Sequence, residues 1–215
     1  MALKNQNTRI ALYTSIFLVL VASLFVTPIS TLAMGNGKTL VTFAEFSNTV
    51  QNKQTDVLRG VYVPNVMALP VVQQPSGNAG YVSGNDGEAT QFRMATQYGN
   101  IGLLAHNHLA GKTFSSLVAG QEVRLVYGDG RVEYFVIKEV LKYQALQPNS
   151  PYSSFRNLDK DEVLSAEKMF KRAYFGDHHI TFQTCIEAGG NQSWGRLFVI
   201  AVPKVETSTF DHMGH

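Results

Sequence analysis

The chain has a single cysteine, Cys185, standing at the end of Ile180-Thr181-Phe182-Gln183-Thr184-Cys185, an alternating run rich in β-formers. In an extended segment Ile180, Phe182 and Thr184 share one face and Thr181, Gln183 and Cys185 the other, so the thiol points with polar neighbours. A short stretch later, Arg196 opens a second apolar run, Leu197 to Val202. A thiol is a good nucleophile only as its thiolate, so a reactive cysteine needs a base or a cation beside it. The chain offers an imidazole at the end of another apolar run, Ile101 to Ala105, where His106, Asn107 and His108 follow. Joined in space, a thiol, an imidazole and a guanidinium can run acyl transfer: nucleophile, general acid and base, and oxyanion stabiliser. Taken singly, each has a plainer reading, namely a small buried hydrophobe, a polar strand end and a solvated charge. His106 and His108 share a face of an extended segment and could ligate a metal, but no third ligand stands at a recognisable spacing. Asn85-Asp86-Gly87-Glu88 lacks the ligand spacing of a calcium loop. No metal and no cofactor are therefore expected.

The elements that must position these residues are mostly strands. Val57 to Val63 and Val66 to Val72 read as short strands, and Pro75 to Gly87, dense in Gly, Ser, Asn and Asp, reads as a loop. Lys112 to Leu117 is a loop or single helical turn that tucks Phe114 and Leu117 inward. Glu122 to Tyr127 and Val132 to Val140 flank Gly128-Asp129-Gly130-Arg131, the clearest hairpin in the chain. Tyr143 to Phe155, with Pro148 and Pro151, reads as a crossing loop. The one well-marked helix follows: Asp159 and Glu162 resemble an N-terminal capping pair, Val163, Ala166, Phe170 and Tyr174 recur on one face, and Gly176 ends it. Leu197 to Val202 is apolar throughout, as a strand covered on both sides would be. Trp194, between Cys185 and Arg196, reads either as an ordinary structural tryptophan or as one packed over the thiol's surroundings. Many short strands and one helix imply a mostly β barrel or sandwich.

Length and composition bound the class. At 215 residues with 45% hydrophobic and 16% charged residues, one core and one domain are expected. The formal charge of +2 includes Lys4 and Arg9; the rest balances at sixteen basic and sixteen acidic residues, which argues against a nucleic-acid surface. Lys4 and Arg9 precede an uncharged run from Ile10 to Gly37. Basic then apolar is the order of a signal peptide or an N-terminal membrane anchor, and residues 1–33 are read as one or the other. Thr31-Leu32-Ala33 fits cleavage, and the length of Ile10 to Ala33 fits retention. Residues 34–56 are expected to be a linker with one short helix about Thr42 to Val50, residues 57–203 the domain, and residues 204–215 a disordered tail.

From Val57 to Val202, the order of these features resembles a sortase. The features are a strand ending in Ala105-His106-Asn107, then Phe114, Leu117 and Gly120, a hairpin, a helix-bearing loop, Thr181-Phe182-Gln183-Thr184-Cys185, and Arg196 opening the last strand. The chain departs from the usual pattern with Phe182 in place of a leucine and Ala105 in place of a glycine. The resemblance implies a sortase-like eight-stranded β-barrel with one helix in the loop before the cysteine strand. It implies an extracytoplasmic cysteine transpeptidase with Cys185 as nucleophile and thioester carrier, His106 as general acid and base with His108 as a second claimant ranked below it, and Arg196 as substrate and oxyanion stabiliser. The partners it implies are a sorting-signal peptide of a secreted protein and an amine acceptor, such as a peptidoglycan cross-bridge or a pilin lysine. The membrane is a further partner if the leader is retained; nucleic acid is not one. The loop from Tyr143 to His178 is the expected specificity determinant. Other classes stay open on the residues alone: an idle extracellular binding module on the same barrel, a cysteine hydrolase transferring to water, and a metal hydrolase using His106 and His108.

Overall fold

The computed structural model describes residues 41–205. The leader expected over residues 1–33, the first part of the linker and nearly all of the tail lie outside them. Among the described residues no helix is long and apolar enough to cross a membrane.

The described residues open with helix α1, Phe43–Val50, started by a capping box. The Thr42 hydroxyl accepts from the Glu45 amide at 3.3 Å, and the Glu45 carboxylate accepts from the Thr42 amide at 2.9 Å. Its apolar side carries Phe46, 1% exposed, onto Tyr62, Ala68 and Val126. A Cβ at Gly60 would come within 2.8 Å of the Phe46 ring, so this glycine lets the helix lie against the sheet. Burying one such phenylalanine contributes about 1.5–3 kcal/mol. Part of the segment expected as linker is thus packed structure.

Ten strands follow: β1 Leu58–Val63, β2 Met67–Gln73, β3 Ala89–Phe92, β4 Ile101–Leu104, β5 Glu122–Tyr127, β6 Val132–Ala145, β7 Phe155–Asn157, β8 Val163–Leu164, β9 Ile180–Ala188 and β10 Asn191–Pro203. Short helices α2, Arg93–Thr96, and α3, Gly111–Phe114, flank β4, and helix α4, Ala166–Tyr174, precedes β9. Neighbours run β10-β9-β4-β3-β2-β1-β5-β6, and β6 pairs back onto β10, closing an eight-stranded barrel. Strands β7 and β8 continue from the far end of β6. Only β2/β3 and β4/β9 pair in parallel. The expected eight-stranded barrel, with a helix in the loop before the cysteine strand, is the observed architecture.

Alternation sorts the barrel. Ile180, Phe182, Leu197, Val199 and Ala201 point inward with Val61, Leu103, Val123 and Phe135. Phe198 points outward into a second apolar cluster, where it is buried with Tyr143 and with Met169, Ala173 and Tyr174 from the underside of α4. This is why Leu197 to Val202 is apolar on both faces.

Two boundaries differ from expectation. Strand β6 runs on to Ala145, because its second half pairs with β7 and β10 instead of crossing as a loop. The helix starts at Ala166, capped by Ser165, whose hydroxyl accepts from the Lys168 amide. Asp159 and Glu162 serve a turn instead: Asn157 Oδ1 accepts from the Asp159 amide at 2.9 Å, and the Glu162 carbonyl accepts from the Asn157 amide at 2.9 Å. Val163 and Leu164 then pair with β7.

Candidate active site

Cys185 lies on the outward face of β9, half-buried and free. The strand does not end there, as its sequence suggests. It continues to Ala188 and returns as β10 through Gly189 and Gly190, with φ of 57° and 77°. Positive φ at both central residues is the demand of the tight two-residue hairpin turn, and glycine meets it without strain.

On β10, Arg196 is the register partner of Cys185, and Leu197 of Thr184. Directly paired residues share a face, so the guanidinium stem and the thiol stand side by side on the outside of the barrel. Between the pairs Asn191–Ala188 and Gly195–Ile186 the register slips, β10 using four residue steps where β9 uses two. The resulting bulge holds Gln192, Ser193 and the half-buried Trp194. Its carbonyls are turned out of the ladder. Arg196 Nη1 donates to the Ser193 carbonyl at 3.0 Å and to the Gly195 carbonyl at 2.8 Å.

The histidine arrives from the other side. Strand β4 pairs in parallel with β9, Leu104 opposite Gln183, and the Ala105 amide still donates to the Gln183 carbonyl at 3.3 Å. Carrying that register two residues further brings His106 level with Cys185, just where the chain leaves the strand. The His106 carbonyl accepts from the amides of Leu109 and Gly111, each at 3.0 Å, which folds residues 106–111 into a compact turn. Gly111 has no room for a side chain: a Cβ there would press on the Thr184 hydroxyl and come within 2.6 Å of the His106 carbonyl oxygen. The two imidazoles, half-buried His106 and exposed His108, stack with centroids 5.4 Å apart and planes 27° apart. One bond spans from this turn to the hairpin after Cys185, Asn107 Nδ2 donating to the Gln192 carbonyl at 3.0 Å.

Helix α4 roofs the outward face of β4 and β9 upstream of the thiol. The Tyr174 hydroxyl donates to Gln183 Oε1 at 2.5 Å, two residues before Cys185 on the same face. Burial pushes the Tyr174 phenol far above its ordinary range. The helix end is pinned by Asn100, 1% exposed, which donates to the Tyr174 carbonyl at 2.8 Å and accepts from the His179 amide at 2.8 Å. The Thr181 hydroxyl and His179 Nε2 both meet the Ala173 carbonyl, at 2.5 and 2.9 Å. Arg172 pairs with Glu139 on β6 at 2.6 Å. Beside Arg196 on the β6 edge stands its register partner Tyr143, 1% exposed. Burial raises the Tyr143 phenol, and the nearby Glu162 carboxylate adds to the effect.

The structure therefore brings Cys185, Arg196 and His106 to one outward region from three separate segments. Reading the sequence missed Tyr143, Asn107 and the pair Tyr174–Gln183 as neighbours of that region. The alternation Val140-Leu141-Lys142-Tyr143, carried past Val140, was the available signal for Tyr143; nothing local marks the others. Among the described residues no cluster of three or more His, Cys, Asp or Glu could hold a metal ion. Thr184 carries a buried hydroxyl with no hydrogen-bond partner.

No family model matches the chain, and no curated protein matches it. Solved structures of similar shape include sortase A of Listeria monocytogenes, at 15% identity over 69% of this chain and 88% of that one, TM-score 0.44. Sortase C of Clostridium perfringens SM101 follows at 14% identity, 75% and 82%, TM-score 0.42. Sortase C-1 of Actinomyces oris stands at 12% identity, 80% and 85%, TM-score 0.44. These are likenesses of overall shape at low identity, and they assign no role to any residue here.

Proposed function

We propose that this protein is a sortase-like cysteine transpeptidase that cleaves a sorting-signal peptide in secreted proteins and passes the acyl group to an amine. The observation that carries the reading is the meeting of the chain's one cysteine with Arg196 as its register partner and His106 at the end of the adjoining strand. Three residues whose types suit acyl transfer meet from the end of β4 and from the two arms of the β9–β10 hairpin, on the outside of a barrel with an apolar core.

In the proposed reaction the Cys185 thiolate attacks the scissile carbonyl carbon, forming a carbon–sulfur bond. Arg196 stabilises the oxyanion with charge-assisted donors; its guanidinium has five N–H groups, and the two bonds to the bulge use Nη1 alone. The carbon–nitrogen bond then breaks as the imidazolium of His106 gives its proton to the departing amine, leaving a thioester. An incoming primary amine attacks the thioester, gives a proton to His106, and expels the thiolate. The roof formed by α4 over Gln183 and Tyr174 bounds the approach of the peptide, so the Tyr143 to His178 segment supplies specificity in this reading. The implied setting is outside the cytoplasm, with residues 1–33 as a cleaved leader or retained anchor, and the acceptor a peptidoglycan cross-bridge or pilin lysine.

Mass spectrometry of the full chain after incubation with sorting-signal peptides, with and without a small amine, tests this. The expected result is an acyl adduct on Cys185, absent in Cys185→Ala and discharged to a new amide by amine. Discharge by water alone, with no amide product, would make the protein a hydrolase. No adduct from a broad peptide library would make the barrel an idle binding module.

A further inference from the structure

Beyond leaving the strand level with Cys185, His106 must be kept there, and the β-ladder does not do it. The last ladder bond on that side is the Ala105 amide to the Gln183 carbonyl. Past it, the bonds to the His106 carbonyl from Leu109 and Gly111 shape the turn internally and leave its position against the hairpin unspecified. Gly111 seats the far side of the turn on Thr184. On the near side, among the described residues, the single side-chain bond from residues 106–110 to the hairpin is Asn107 Nδ2 to the Gln192 carbonyl, at 3.0 Å. That carbonyl is available because of the bulge: between Asn191 and Gly195 the strand is out of register with β9. The next carbonyl of the bulge, that of Ser193, and the carbonyl of Gly195 just past it hold Arg196. One irregular segment thus presents successive acceptors to the neighbour of His106 and to Arg196, flanking the thiol from both sides.

We infer that Asn107 is a positioning residue: its side-chain amide, anchored on the bulge of residues 192–194, holds the imidazole of His106 in working reach of Cys185. The inference rests on the proposed role of His106. The chemistry of the site requires a donor at position 107, because the atom it faces is a carbonyl oxygen. An aspartate of the same size is an acceptor and would be repelled by it. A lost neutral hydrogen bond of this kind, felt only through geometry, is worth about fivefold in rate.

The test follows the rate of Cys185 alkylation by iodoacetamide against pH in the full chain, for wild type, His106→Ala, Asn107→Ala, Asn107→Asp and Asn107→Gln, with thermal midpoints alongside. The expected wild-type profile carries an inflection that His106→Ala removes. Asn107→Ala and Asn107→Asp are expected to react about fivefold more slowly near neutral pH, with profiles displaced toward that of His106→Ala and midpoints close to wild type. Asn107→Gln, which keeps the amide donor, is expected to recover most of the rate. An Asn107→Asp profile that coincides with wild type while His106→Ala differs would overturn the inference and leave the proposed function standing. A uniform loss at every pH that tracks a fallen midpoint would also overturn it, since that is the mark of a merely structural residue. If wild type and His106→Ala share one profile, both the coupling of His106 to Cys185 and the role of Asn107 are lost. Failure of all peptides to acylate a protein that shows the expected profiles would remove the transpeptidase reading alone.

Discussion

Arg196 is held differently from an ordinary surface arginine: it is half-buried beside Tyr143, with Nη1 fixed on the carbonyls of Ser193 and Gly195. Both bonds come from Nη1, which keeps the Nη2 and Nε donors of the planar fork for the proposed oxyanion, and a lysine ammonium has no such second set. Arg196→Ala is expected to slow thioester formation about 10²–10³-fold, and Arg196→Lys to recover little of it despite keeping the charge. His106→Ala, which would remove the proposed proton transfer, should cost about 10²–10⁴-fold. Single-turnover formation of the Cys185 adduct from a peptide measures both; a lysine variant close to wild type would show that charge alone suffices. Thr184, one residue before the thiol, faces the other way and carries its hydroxyl into the apolar side without a partner. Among the described residues it is the buried side-chain oxygen on β9 that has no hydrogen-bond partner.

At the scale of elements, two devices set the site. The first is the seating of the 106–111 turn on β9, where Gly111 approaches Thr184 and the His106 carbonyl more closely than any side chain permits. The second is the polar clamp on the end of α4, built by Asn100, His179 and Thr181 on the carbonyls of Ala173 and Tyr174. Cutting Asn100 to alanine leaves a buried carbonyl and a buried amide unpaired, at about 1–3 kcal/mol each. The clamp links the roof helix to the start of β9, so Asn100→Ala is expected to lower stability by about 2–4 kcal/mol in urea unfolding. It should also raise hydrogen exchange at the end of α4 more than in β1 and β2. Equal protection everywhere would mean that α4 is held by its apolar stripe without the clamp.

The described residues form a closed barrel with the proposed site outside and the two largest fully buried side chains, Tyr143 and Tyr174, in the cluster at the roof. Closure depends on β6 pairing with β10 along nearly the full length of both, so the barrel and the site share strand β10. Burying Tyr174 there has a pH consequence. Its phenol is shifted upward from an ordinary value of 10.0 by desolvation, so the folded state resists its ionisation while the unfolded state does not. The stability this contributes is fully present below pH 10 and is lost as pH rises above it. Tyr127, also raised by burial and by its bond to Glu133, adds in the same direction. Urea midpoints are expected to fall as pH rises above about 10, and Tyr174→Phe is expected to flatten that fall by about one proton's worth of slope. A Phe variant with an unchanged pH dependence would place the alkaline weakness elsewhere.

What the sequence determined by itself was local and periodic. Alternation in Ile180 to Cys185 put the thiol on the outward face, the uniform apolar run after Arg196 announced a strand covered on both sides, and the Gly-Asp-Gly turn marked the β5–β6 hairpin; these follow from side chains two residues apart sharing a face and from the few residues that accept turn geometry. The order of His106, the hairpin, the helix, Cys185 and Arg196 already resembled the arrangement of an acyl-transfer barrel. The tertiary structure alone decided how these pieces meet. The parallel pairing that brings His106 level with Cys185, the closure of β6 onto β10, the extension of β9 past its cysteine, and the bulge that feeds Asn107 and Arg196 are all non-local. Register between distant strands is set by the summed packing of a whole core and leaves no periodic trace in any one strand. Asn107 could not be singled out from its neighbours in the chain, because its partner, the Gln192 carbonyl, is a backbone group whose freedom depends on a register slip in a strand far along the sequence.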